Sequence, residues 1–258
     1  MQRLIILLAF LFVSILAKAD CASNGIYCWP NRTAVKSNPV FVLTFYLNSQ
    51  KIIAGLNKEY AIYLRSGEEK VPVLISEICK GQYRLTQVIL RPAKQLTPGK
   101  EYELVIDSLP QYDRISKWNK DSGRSESPRW KVLKEADTDL PAWTALPTYF
   151  SKSMGYLGCG PVSSVVFGYG AEDGSDILIK TTLQNTRTGN YTTYYLEPDK
   201  TGITVGHGMC SGAFNFETDD KYEVRFELMD ASGNPGCVPS VPIRFTRPIA
   251  KGWVNKIK

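Results

Sequence analysis

The stretch Tyr222-Glu-Val-Arg-Phe-Glu-Leu228 alternates without a break: Tyr222, Val224, Phe226 and Leu228 face one way, and Glu223, Arg225 and Glu227 the other. Successive strand residues point to opposite faces, so this pattern predicts a strand with one face in a core and one in water. Tyr102-Glu-Leu-Val-Ile-Asp107 repeats the pattern and is entered through Leu96-Thr-Pro-Gly-Lys-Glu-Tyr102. Leu-x-Pro-Gly-x-x-Tyr is the approach to a tyrosine corner, in which a Tyr near a strand start hydrogen-bonds back to the chain upstream. Phe216 precedes Tyr222 by the same spacing as Leu96 precedes Tyr102, so Tyr102 and Tyr222 are candidate tyrosine corners in two halves of similar architecture.

Outward from these strands, helical periodicity is nearly absent, whereas short β-rich runs bounded by Gly, Pro, Asn and Asp recur. In the first half they are 40–47, 60–65, 71–78, 83–90, 102–107 and 130–133. In the second half they are 162–169, 177–183, 191–196, 203–205, 211–216, 222–229 and 241–245. Six or seven short strands per half is the pattern of a β-sandwich, and two sandwiches fit better than one long barrel. Residues 117–129, polar and rich in Ser, Lys and Asp, are expected to form a long exposed loop. Residues 137–147 read as the connection between halves, with Trp143, Tyr149 and Phe150 expected to pack between them.

Residues 1–19 carry Arg3, an apolar run from Leu4 to Ala17 and an Ala17-Lys-Ala19 cleavage pattern, which reads as a secretory signal peptide. The run is too short for a bilayer core that takes about 20 residues. Removing 19 of 258 residues leaves a mature chain of 239, and the loss of Arg3 and Lys18 cuts the formal net charge from +6 to +4. That balance is too small and dispersed to imply nucleic acid. The organisation expected is therefore a signal peptide at 1–19 and sandwich domains at 20–137 and 138–258, with no membrane span in the mature chain.

All six cysteines, Cys21, Cys28, Cys79, Cys159, Cys210 and Cys237, lie in the mature part and are disulfide candidates in an exported protein. No Cys-x₂-Cys or Cys-x₄-Cys pair exists, and one His cannot complete a zinc site. Three cysteines fall in each half, so complete pairing within one chain requires an odd number of bridges between halves. Cys21 with Cys28 is the easiest local pair. Counting strands up and down places Cys159, Cys210 and Cys237 at one pole of the second half, two of them stapling it and the third free or linked to the first half.

Asn38-Pro-Val-Phe-Val-Leu-Thr-Phe45, Leu90-Arg-Pro-Ala-Lys-Gln-Leu-Thr-Pro-Gly-Lys-Glu-Tyr-Glu-Leu104 and the returning strand at Trp130 make the first half resemble a bacterial Ig-like domain of surface-layer and envelope proteins. Through 222–234 and Pro242-Ile-Arg-Phe-Thr246 the second half resembles a fibronectin type III or Ig-like sandwich. The resemblance implies an all-β protein of two tandem Ig-like sandwiches with a spacer, adhesive or protein-binding role and no catalytic residue.

Gly206-His-Gly-Met-Cys-Ser-Gly212 gathers glycines, the single His and a Cys. Its third Gly is one place too late for a dinucleotide fingerprint and no helix follows, so it reads as a Gly-rich turn leading into a strand. His207 and Cys210 are too close in sequence to face each other as a nucleophile pair. Glu172-Asp-Gly-Ser-Asp176 and Asp230-Ala-Ser-Gly-Asn234 read as hairpin turns, short of the six to eight oxygens that calcium takes. Tyr191, Tyr194 and Tyr195 read as core and strand-pair packing more than as a sugar platform. Asn31-Arg-Thr33 and Asn190-Tyr-Thr192 are glycosylation sequons in a eukaryotic host. The expected product is a secreted or periplasmic, non-enzymatic protein of the cell envelope, without cofactor or metal, meeting a protein or cell-surface partner. The alternatives are a periplasmic two-domain chaperone acting by strand donation and an enzyme inhibitor.

Overall fold

The computed structural model describes residues 21, 24–120, 122–216, 221–236 and 242–250; the leader and Cys237 lie outside them. The chain is nearly all β. In the first half the strands are β1 (Asn24–Trp29), β2 (Ala34–Val35), β3 (Phe41–Leu47), β4 (Ile62–Ser66), β5 (Glu69–Lys80), β6 (Leu85–Pro92), β7 (Glu101–Ile106), β8 (Ile115–Asn119), β9 (Arg124–Glu126) and β10 (Arg129–Val132), with a 3₁₀ helix at Asn48–Gly55. In the second half they are β11 (Ala142–Leu157), β12 (Gly160–Glu172), β13 (Ile177–Asn185), β14 (Tyr191–Leu196), β15 (Ile203–His207), β16 (Lys221–Asp230) and β17 (Ile243–Thr246). No helix among the described residues is long and apolar enough to cross a membrane.

The first ten strands form one sheet in the order β2-β10-β7-β4-β5-β6-β3-β1-β8-β9. It is continuous because β5 serves both limbs: Glu69–Pro72 pairs with β4 and Val73–Lys80 with β6. The two limbs close over a common core, where Phe41 of one meets Trp130 of the other at 4.6 Å between ring centroids. Tyr102, Leu104 and Ile106 enter that core from β7 on the alternation read from the sequence. The Tyr102 hydroxyl donates to Glu69 at 3.0 Å and lies 3.4 Å from the Thr97 amide, five residues upstream.

The remaining strands form a three-stranded sheet, β11-β12-β15, and a four-stranded one, β14-β13-β16-β17. Tyr222, Val224, Phe226 and Leu228 of β16 lie in their core with Val165 and Phe167 of β12. Tyr222 stacks on Phe245 with centroids 5.7 Å apart. This second core also contains Trp29, Val40, Val42, Cys79 and Ile89 from the first half. Strand β3 therefore gives Phe41, Leu43 and Phe45 to one core while Val42 belongs to the other, together with the adjoining Val40. In β5 a bulge between Ile75 and Glu77 swaps the facing, so that Val71 and Val73 serve the first core and Cys79 the second.

Several expectations are corrected here. Residues 117–129 are not a long exposed loop: β8 pairs with β1 in parallel and with β9 antiparallel. Lys117 is buried there because its ammonium donates to the Arg32 carbonyl at 2.9 Å. Residues 142–157, read partly as a connection, form the longest strand among the described residues. Phe150 stands 70% exposed instead of packing between halves. It occupies the register shift between Tyr149 and Ser151, where a bulge re-aims a side chain. Trp143 and Tyr149 make edge contacts with Tyr169 and Phe167 of the neighbouring β12 instead. Residues 211–216 form no strand; Gly212 makes only isolated bridges to Tyr83 and His207.

Glu69 accepts from Lys100 at 2.8 Å, Lys94 at 3.0 Å and the Tyr102 hydroxyl, and these bonds hold its carboxyl down at about 2. A carboxylate depressed on folding contributes stability above its unfolded pKa near 4.3, lost as pH falls toward the folded value. Urea unfolding should therefore show Glu69→Gln less stable than wild type at pH 6, with the gap closing between about pH 4 and 2; a gap constant with pH would remove this role.

Candidate functional site: the junction and the open edge

The halves meet through polar groups set around the second core. The side chain of Gln87 on β6 donates to the Tyr195 carbonyl at 2.9 Å and accepts from its amide at 3.0 Å. A single amide side chain thus completes the backbone of edge strand β14, as a neighbouring strand would. The Tyr195 hydroxyl donates to Glu77 at 2.9 Å, and Lys180 lies 3.7 Å from the same carboxylate. Burial, reinforced by Glu77, pushes the Tyr195 phenol up. A backbone bridge crosses the junction, from the Gly212 amide to the Tyr83 carbonyl at 2.7 Å and back at 3.1 Å. A Cβ on Gly212 would sit 2.2 Å from that of His207, and one on Gly206 would sit 2.0 Å from the Ser163 carbonyl oxygen. Gly206 and Gly212, two of the three glycines of this turn, therefore permit close backbone packing.

Asp176 anchors another side of the junction. Its buried carboxylate accepts from the Asn31 amide at 2.8 Å and the Arg32 amide at 2.9 Å, with Arg32 Nε at 3.4 Å and Lys120 Nζ at 3.5 Å. Partial burial by itself disfavours the Lys120 ammonium, and Asp176 and Glu197 more than reverse this, raising its pKa. The Asn31 side chain donates to Glu197 and is 4% exposed, so this sequon presents no free acceptor, whereas Asn190 is exposed.

The two acidic turns come together beside the connection between halves. One carboxylate oxygen from each of Asp137, Asp173 and Asp230 lies within 4.8 Å of the others. Burial, opposed by the Ser232 and Asn234 donors and aided by Asp173, raises the Asp230 pKa. The three could offer oxygens to a hard cation, short of a full calcium shell. Asn38 and Asp137 also exchange two bonds of 2.8 Å, which ties down the connection.

Cys21 and Cys210 form a disulfide that joins the halves. The expected local pair with Cys28 does not form, because β1 turns Cys28 into the first core. Burial raises the Cys28 thiol pKa and pushes Cys79 up to about 12, with Glu77 adding to the latter. Cys159 is a partly exposed thiol beside the bridge. The three tyrosines make no platform: Tyr194 and Tyr195 are buried and Tyr191 is 72% exposed.

Among the described residues, β11 is a long edge strand with exposed apolar side chains. It stands at the edge of its sheet, paired among the described residues through β12 alone, and Leu146, Tyr149, Phe150, Tyr156 and Leu157 along it are 47–70% exposed. Toward the hairpin end, Met154, Tyr156 and Pro161 border a cavity of about 400 Å³ that His207, Phe216 and residues 247–250 complete. The strand escaped the sequence reading because three register shifts and Pro147 break its alternation; the cluster Tyr149-Phe150 was its visible signal.

No protein-family model matches the chain, and no curated protein does. Among solved structures, the pullulanase of Anoxybacillus sp. LM18-11 in complex with maltotriose is 11% identical at a TM-score of 0.23, over 86% of this chain. A cytokine receptor complex gives 11% and 0.26, covering 84% of this chain and 96% of that one. The Yersinia pseudotuberculosis adhesin InvE gives 12% and 0.20, covering 87% and 58%. The chain spans about a quarter of the length of the pullulanase chain. Likeness at this level fixes neither fold nor function.

Asp176→Ala leaves two backbone donors without their acceptor and should lower the unfolding free energy by about 2–3 kcal/mol. Amide exchange at Asn31 and Arg32 should quicken in the same variant. A change within about 0.5 kcal/mol would place the junction's strength elsewhere.

Proposed function

We propose that the chain is an exported, non-enzymatic binding module of the cell envelope, secreted or periplasmic, built as two tandem Ig-like sandwiches at 20–137 and 138–258. It acts by surface contact with a protein or cell-surface partner and uses no catalytic residue, cofactor or metal. The observation that carries this reading is β11: a 16-residue edge strand along which Leu146, Phe150, Tyr156 and Leu157 are each more than half exposed. Among the described residues no strand pairs with its outer edge, so a partner strand can add there while apolar contacts add affinity. The Cys21–Cys210 bridge is compatible with an oxidising compartment.

The same edge favours one second reading, a chaperone that pairs this strand with a client sheet. The two differ in the partner, a folded envelope surface in the first and a sheet lacking a strand in the second.

The double variant Leu146→Ser, Phe150→Ser alters exposed side chains and should change stability by no more than about 0.5 kcal/mol per site. Retention of the mature protein on isolated envelope fractions should fall at least tenfold in this variant. Equal retention of variant and wild type would rule out β11 as the contact surface.

A further inference from the structure

The sulfurs of Cys21, Cys159 and Cys210 all lie within 4.8 Å of one another, and all three residues are partly exposed. Two form the bridge between halves, and the third is a thiol. We propose that these three sulfurs are a thiol–disulfide exchange site, in which the Cys159 thiolate attacks the Cys210 sulfur and displaces Cys21. The Cys159–Cys210 bond forms as the Cys21–Cys210 bond breaks, the electron pair leaves on the Cys21 sulfur, and the proton lost by Cys159 is matched by one gained there. No oxidant or reductant is consumed.

The topology favours attack at Cys210 over attack at Cys21. Strands β12 and β15 pair antiparallel with Ser163 opposite His207. Cys159 lies just before that end of β12 and Cys210 just after that end of β15, so the sheet itself delivers both to one place. The backbone is already close there, since a Cβ on Gly160 would lie 3.2 Å from the Met209 carbonyl oxygen. A Cys159–Cys210 bridge therefore joins two loops that the fold holds together, whereas Cys21 arrives from 189 residues away in sequence. Exchange converts a covalent link between halves into one within the second half, and leaves Cys21 as a free thiol ahead of β1. The pairing of β1 with β3 keeps the first sheet intact when this happens. Cys28 and Cys79 take no part, because each is buried in a core.

The test uses the full mature chain at pH 8 without added redox reagent, quenched in acid at intervals because the thiolate is the attacking species. Free thiols are then alkylated and the linked peptides mapped. In wild type, both Cys21–Cys210 and Cys159–Cys210 peptides should appear, with label lost from Cys159 in the same proportion as it is gained at Cys21. Cys159→Ser should abolish label at Cys21, and Cys21→Ser refolded in a glutathione–glutathione disulfide buffer, which supplies the two-electron oxidation this variant needs, should carry the Cys159–Cys210 bridge. The wild-type time course stands on its own should Cys21→Ser not fold. The proposal is overturned if wild type shows one linkage with Cys159 labelled throughout, if Cys159 is found bridged to Cys237, or if folded Cys21→Ser, after that glutathione disulfide treatment, leaves Cys159 and Cys210 both free.

Discussion

The structure depends on a strand pair that has no water-facing side. In β3, Phe41, Leu43 and Phe45 fill one core, while Val42, with Val40 just ahead of it, reaches the other; in β6, Val88 and Leu90 oppose Ile89 in the same way. An apolar side chain of this kind is worth roughly 1.5–3 kcal/mol when removed from water. The outer face of the first sheet therefore has to be covered, and the second half covers it with Leu178, Tyr194, Tyr195, Ala213 and Phe214 in the same cluster. The second core is completed by the first half.

The polar features of the junction follow from that burial. Backbone groups driven into the contact must find partners, and they do so through the Gln87 amide on β14, the Tyr83–Gly212 bridge and the Asp176 carboxylate on the Asn31 and Arg32 amides. Strand β14, at one edge of its sheet, is capped in this way. Strand β11, at the edge of the other sheet, pairs among the described residues with β12 alone.

The half-buried strands were the legible part. At β7 and β16 the period-two alternation marks both the strand and its inward face, because one side is wet. The junction was less legible, since a strand buried on both sides has no alternation to read; the unbroken run Val40-Phe-Val-Leu43 carries the only hint. The β8 strand was hidden by its composition, because Lys117 is buried through a backbone carbonyl that sequence does not reveal. Parity of the cysteines bore on how many bridges could join the halves. It could not exclude Cys28 as a partner of Cys21, because that exclusion comes from the facing of β1.

The central claim is that the halves share a core and unfold as one unit. Its most direct measurement is equilibrium denaturation of the intact mature chain, followed by calorimetry and by amide exchange at β7 in the first half and β16 in the second. A shared core predicts a single transition, with equal calorimetric and van't Hoff enthalpies and coincident loss of protection at both strands. Two separated transitions, with β16 protected while β7 has melted or the reverse, would contradict it.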